Sequence, residues 1–159
     1  MKNELRDFLS EGMKRYKQAS KIMTEFFRNT QSELQEILKK RKDWGSTFKP
    51  KKTTKVRSTK YWDEYPLINA SISGTIGNNP VIVQIAINWF WSDSDYPFFV
   101  VRFYDAPDDL YEKIRSFKKH GKFEMSKDET GLVFYPDSED FNLERDFSLL
   151  IDEFLKAIS

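Results

Sequence analysis

The stretch from Leu67 to Asn88, "LINASISGTIGNNPVIVQIAIN", constrains this chain more than any other. Ile68, Ala70, Ile72 and Ile76 alternate with Asn69, Ser71, Ser73 and Thr75, then "GNNP" leads into a second alternating run. A period of two fits a strand with one buried face and no other regular structure. Two such runs around a short polar turn predict an antiparallel hairpin. A third strand, "YPFFVVRFY", is expected after the turn "SDSD".

Upstream the period is 3.6. Leu5, Leu9, Met13, Tyr16, Ala19, Met23, Phe27, Thr30, Leu34 and Ile37/Leu38 fall on one helical face. A single helix over that span is about 50 Å long at roughly 1.5 Å per residue. The capping-box pattern "TQSE" at Thr30–Glu33 leaves a break into two helices as the alternative. Gly45 and Pro50 end the helical region.

Downstream, "DAPDDLYEKIRSFKK" reads as a helix capped by Asp105, with Pro107 in its first turn and Leu110, Ile114 and Phe117 as its stripe. "KFEM" and "GLVFY" form a second hairpin across "SKDET". Leu143, Phe147, Leu150, Ile151, Phe154, Leu155 and Ile158 define a closing amphipathic helix. The expected fold is α+β: a long N-terminal helix or helical hairpin, a mainly antiparallel sheet of about five strands (β-β-β-α-β-β), and an amphipathic C-terminal helix. A length of 159 residues suits one domain: helical over 1–43, a basic connecting segment over 44–60, then a sheet with two helices over 61–159.

The net charge of +1 conceals a division. Residues 1–60 carry 17 Lys+Arg against 7 Asp+Glu, and residues 61–159 carry 9 against 18. The excess concentrates in Lys39, Lys40, Arg41, Lys42, Lys49, Lys51, Lys52, Lys55, Arg57 and Lys60, with Asp43 the one acid among them. Trp44, Phe48, Tyr61 and Trp62 interleave with or follow these cations. That combination suits phosphate neutralisation with base stacking. An acidic protein partner, or the chain's own acidic half, would answer the same charges.

Loop lengths of three residues for "GNN" and four for "SDSD" place Asn69 beside Asn88 beside Phe99, and Ser73 beside Gln84 beside Phe103. The opposite, core-facing parity then holds Ile85, Ile87, Trp89, Trp91, Tyr96, Phe98 and Val100. Asn69, Ser73, Gln84, Asn88, Phe99 and Phe103 combine two-way hydrogen bonding with ring faces, the chemistry of a recognition surface. The competing arrangement has a helix over Phe99, Val101 and Phe103, with the Asn/Ser rows meeting water.

Catalytic signatures are sparse. The single histidine, His120, lies in "KKHGK" with no nucleophile motif beside it and is expected at an exposed helix end. Asp93 and Asp95 are ordinary turn residues, and no metal ligands or cofactor motif are assigned. "SGTIGNNP" joins strand to strand and is no phosphate loop. No apolar run reaches the roughly 18 residues of a membrane span, and "MKNELRDFLSEG" has acids where a signal peptide has its apolar region, so a cytoplasmic protein away from membranes is expected.

In element order, "FKPKKTTKVRSTKYW", "LINASISGTI", "FVVRFYDAPDDLYEKIRSF", "GLVFY" and "FSLLIDEFLKAI" together resemble an uncharacterised bacterial domain found appended to restriction-endonuclease-like modules. The resemblance spans about residues 25–158; the central hairpin here is longer and richer in tryptophan, and no catalytic module is expected within these 159 residues. It implies an accessory role near nucleic acid and carries over no catalytic residues. The leading expectation is therefore a non-enzymatic binding module contacting nucleic acid through residues 39–60. The alternative is a protein-binding module of inhibitor or immunity type using the N-terminal helix and the sheet face. A metal-dependent nuclease comes third. An apolar stripe left open on the N-terminal helix would also suit a homodimer.

Overall fold

The computed structural model describes residues 2–89, 97–137 and 139–159. Trp91, Tyr96, Asp93, Asp95 and the "SDSD" turn lie outside the described residues. The fold is α+β. A short helix α1 (Lys2–Asp7), a π-helical turn (Phe8–Gly12) and α2 (Met13–Lys40) follow one another without a break. Thr30 is buried within α2 instead of capping a second helix, because its face continues the apolar stripe of Phe27 and Leu34.

Among the described residues the sheet has seven strands where about five were expected, and every pairing is antiparallel. They are β1 (Phe48–Thr53), β2 (Arg57–Ser58), β3 (Leu67–Ile76), β4 (Asn79–Asn88), β5 (Phe98–Asp105), β6 (Phe123–Met125) and β7 (Gly131–Phe134). The order is β1-β3-β4-β5-β7-β6, and β2 pairs with β3 on the same edge as β1. Helix α3 (Asp108–Arg115) follows β5, and α4 (Leu143–Ala157) closes the chain. Asp105 ends β5 and does not cap α3, whose N-cap is Pro107. Asn142 caps α4 by accepting the Arg145 amide at 2.8 Å.

The segment 44–60 is thus no mere connection, since β1 and β2 belong to the sheet. Only Phe48 of β1 is buried. Pro50 and a bulge at Lys51 are tolerated because the strand lies on an edge, and its lysines discourage pairing with another chain. Gly74 makes the approach of Phe48 possible: a Cβ there would meet the Lys49 carbonyl oxygen at 2.4 Å.

Two registers differ from expectation. The β3–β4 turn needs only Gly77 and Asn78, with Gly77 at φ 59°, the positive angle a two-residue loop demands. Asn88 therefore faces Leu67, and Asn69 faces Ala86. A two-residue slide leaves both faces intact. In the next pair Asn88 faces Phe98, not Phe99. A one-residue slide exchanges the faces of β5.

Phe99, Val101 and Phe103 consequently join Ile85, Ile87 and Trp89 in the core. Phe99 stacks on Phe147 of α4 at 4.3 Å, and Phe103 meets Phe154 at 5.1 Å. Helix α2 packs on the same face, with Phe27 against Trp89 at 5.0 Å. Its amides fix the basic edge: Gln31 Nε2 donates to the Val56 carbonyl at 2.9 Å, and the Val56 amide donates to Gln35 Oε1 at 2.8 Å.

Candidate functional site

The helices pack on one face of the sheet. On the opposite, outer face a small apolar cluster of Ala86, Val100 and Val133, joined by Leu67, Phe98 and Tyr135, contains no helical residue. Asn69, Ser73, Gln84 and Asn88 lie on this outer face and are half-buried. Phe99 and Phe103 do not; they are 0% and 2% exposed in the core, displaced by the register of β5. Phe98, Val100 and Arg102 take their place.

Antiparallel partners share a face, so register locates the edge cations as well. Lys49 stands beside Thr75, Lys52 beside Ser73 and Arg57 beside Asn69. All three cations are exposed and point to the outer face. Lys51 and Lys55 are exposed at the bulge and in the β1–β2 connection.

The remaining basic residues divide. Lys39, Lys40 and Lys42 are exposed around the end of α2, and Lys39 approaches Glu36 at 4.0 Å. Lys60 lies over the exposed Trp62 ring at 5.4 Å. Arg41 is a structural residue: its side chain is 11% exposed, pairs with Asp152 of α4 and lies over Trp44 at 5.2 Å. Trp44 and Phe48 are buried against each other at 5.9 Å and offer no stacking surface. Of the aromatic residues interleaved with these cations, Trp44 and Phe48 therefore lie within, while Trp62 stays exposed beside Lys60.

Across the sheet a groove of about 240 Å³ runs beside Asn88, Phe98, Arg102, Glu124 and Tyr135. The Phe98 and Tyr135 rings lie 5.9 Å apart. Arg102 Nε donates to Gln84 Oε1 at 2.8 Å, and its Nη1 donates to Asp128 Oδ2 at 3.0 Å. Burial pushes the Asp128 carboxyl up, but hydrogen bonds from Ser126 and Thr130 with the nearby Arg102 charge outweigh this and hold it below its ordinary value. A hydrogen bond from Lys119 foremost, with a further one from Tyr135, lowers Glu124.

Three interstrand spacings separate β1 from β5, and Lys49 and Lys52 pair with Thr75 and Ser73, six to eight residues along β3 from Leu67, which lies level with Asn88 and Phe98; Arg57, beside Asn69, is the edge cation nearest the paired rings. Phe98, Arg102 and Tyr135 were not among the expected site residues. Arg102 supplied the available signal: a charged side chain belongs on the wet parity, which sends its neighbours Val101 and Phe103 inward.

His120 is exposed and its Nε2 lies 3.1 Å from Glu153 Oε2. Among the described residues no group of three or more histidine or carboxylate side chains stands ready to hold a metal ion. None of their helices is long and apolar enough to cross a membrane. No protein-family model, curated protein or solved structure matches this chain.

Proposed function

We infer that this chain is a binding module for single-stranded nucleic acid, which lies on the outer face of the sheet from the β1/β2 edge toward Phe98 and Tyr135. The observation that carries this reading is the alignment of Lys49, Lys52 and Arg57 with the polar row Thr75, Ser73 and Asn69, on a face that none of the described helices covers. Cations at the edge neutralise phosphates, amides and hydroxyls beside them hydrogen-bond to sugars and bases, and the two rings give bases a surface to stack on. A flat face presents no helix to a duplex groove, which favours the single strand. The resemblance in element order to a domain appended to restriction-endonuclease-like modules points the same way.

Labelled oligo-dT and oligo-U titrated by fluorescence anisotropy test this reading. With about five phosphate contacts, from Lys49, Lys51, Lys52, Lys55 and Arg57, the slope of log K against log salt for a single strand is expected to be about −3.5. The variant K49E/K52E/R57E loses at least about tenfold in affinity while its unfolding midpoint stays put. Absence of binding at about 50 mM salt, or equal affinity for the variant, rejects the reading.

A further inference from the structure

The apolar stripe of the N-terminal helix outruns the body it packs on. The first fully buried residue of α2 is Phe27. Before it, Leu5, Phe8, Leu9 and Tyr16 are 53–63% exposed, although Tyr16 continues the face that buries Phe27, Thr30 and Leu34. A projecting helix of this length draws its stability from packing of its apolar face, and the body supplies little of that before Met23.

A second feature lies where the helix leaves the body. Tyr16, Ala19, Ser20 and Met23 form a largely apolar groove of about 230 Å³ with Tyr61 and Trp62, and Trp62 is 62% exposed. Leu5 and Leu9 at the tip, and this groove, stand at similar distances on either side of Met13. Leu5 precedes Met13 by eight residues, about 12 Å at roughly 1.5 Å per residue, and the groove residues follow it by three to ten.

We propose that the projecting helix pairs antiparallel with that of a second copy of this chain, about a two-fold axis near Met13, so that Leu5, Phe8 and Leu9 of each copy fill the other's Tyr16–Met23–Trp62 groove. An isologous interface requires a self-complementary surface, and a tip matched to a groove on the same helix is one. Charge supports the same occupant. Asp7, Glu11 and Arg15 follow one another at four-residue steps along the helix. Reversed about Met13, that row sets Glu11 of each copy level with Arg15 of the other. At the level of segments, residues 2–12, with Glu4, Asp7 and Glu11 against Lys2 and Arg6, come to lie along residues 14–24, which carry Lys14, Arg15, Lys17 and Lys21 and no acid. This inference is independent of the nucleic-acid reading.

Sedimentation equilibrium on the full chain from about 1 to about 100 µM measures the association directly, because a dimer's population depends on concentration. The expected result is a mass of two chains at the upper end. Leu9→Glu raises the dissociation constant by about tenfold or more, with an unchanged thermal midpoint at concentrations where the parent chain is monomeric. Glu11→Arg weakens association, and adding Arg15→Glu restores it. The chain has no cysteine, so single substitutions report orientation cleanly. Met13→Cys is expected to form an intermolecular disulfide with itself, and Leu5→Cys is not. A monomer at every concentration overturns the proposal and leaves the stripe to a different protein. Self-crosslinking of Leu5→Cys in place of Met13→Cys overturns the antiparallel arrangement.

Discussion

The two faces of the sheet are built from alternate residues of the same strands, yet they solve opposite problems. On the core face, Ile68, Ile72, Ile85, Ile87, Phe99 and Phe103 are fully buried under α2 and α4. On the outer face, Asn69, Ser71, Ser73, Gln84 and Asn88 remain half-exposed, and among the described residues only Ala86, Val100 and Val133 form a dry cluster. The first face is fixed by volume, since close packing leaves no room for a changed side chain. The second is fixed by hydrogen bonds that water or a ligand could replace. A surface of this second kind can be spent on recognition without loss of the fold.

The sharpest way to break this comparison uses neighbouring phenylalanines. Phe99 is 0% exposed and stacked on Phe147, whereas Phe98 is half-buried beside Tyr135. Phe99→Ala is expected to cost about 3–5 kcal/mol and Phe98→Ala about 1 kcal/mol, read from urea unfolding. Equal costs would mean that β5 does not have this register.

A smaller effect tests whether the outer face has a structured end. Asp128 accepts from Ser126 Oγ at 2.6 Å, from Thr130 Oγ1 at 2.8 Å and from Arg102 at 3.0 Å, closing the β6–β7 turn. Its carboxyl is held below its ordinary value when folded, so the unfolded chain binds the proton more tightly. The contribution is complete above the ordinary aspartate value of about 4 and fades as pH falls through the folded value. Asp128→Asn should cost about 1 kcal/mol at neutral pH, and the gap to the parent chain should narrow in acid below about pH 4. A gap that stays constant with pH would show that the turn does not depend on this charge.

The legible parts of the fold are those where burial is one-sided. Helix α4, the stripe of α2 and the alternation of β3 could each be read from period alone, because water lies on one side and the core on the other. Strand β1 could not: "FKPKKT" buries only Phe48, and an edge strand exposed on both faces leaves no alternation to read. Strand β5 failed for the opposite reason. Phe99, Val100 and Val101 are all buried, because the middle of the sheet is dry on both sides, so apolar residues occupy both parities. Only Arg102 marked the wet side. Nine residues separate the paired Asn88 and Phe98, an odd number that the four-residue turn did not anticipate. For the candidate site, the polar row of Asn69, Ser73, Gln84 and Asn88 was readable, and so was the exposure of Lys49, Lys52 and Arg57. Their meeting on one face was not, since it depends on β1 and β2 joining β3.

The smallest expected effect bears most directly on whether the outer face is open. Ser73 Oγ donates to the Lys52 carbonyl at 3.3 Å, a long bond at the edge where the basic strand joins the sheet. If that face meets water, Ser73→Ala exchanges one weak bond for hydration of the same carbonyl, and stability should change by less than about 0.5 kcal/mol. A cost above about 1.5 kcal/mol would mean that the Lys52 carbonyl is shielded and left unsatisfied, which requires something to cover the face. A covered face cannot also receive a nucleic-acid strand. The same substitution measured with bound oligonucleotide therefore separates a surface kept free for a ligand from one already occupied by the protein itself.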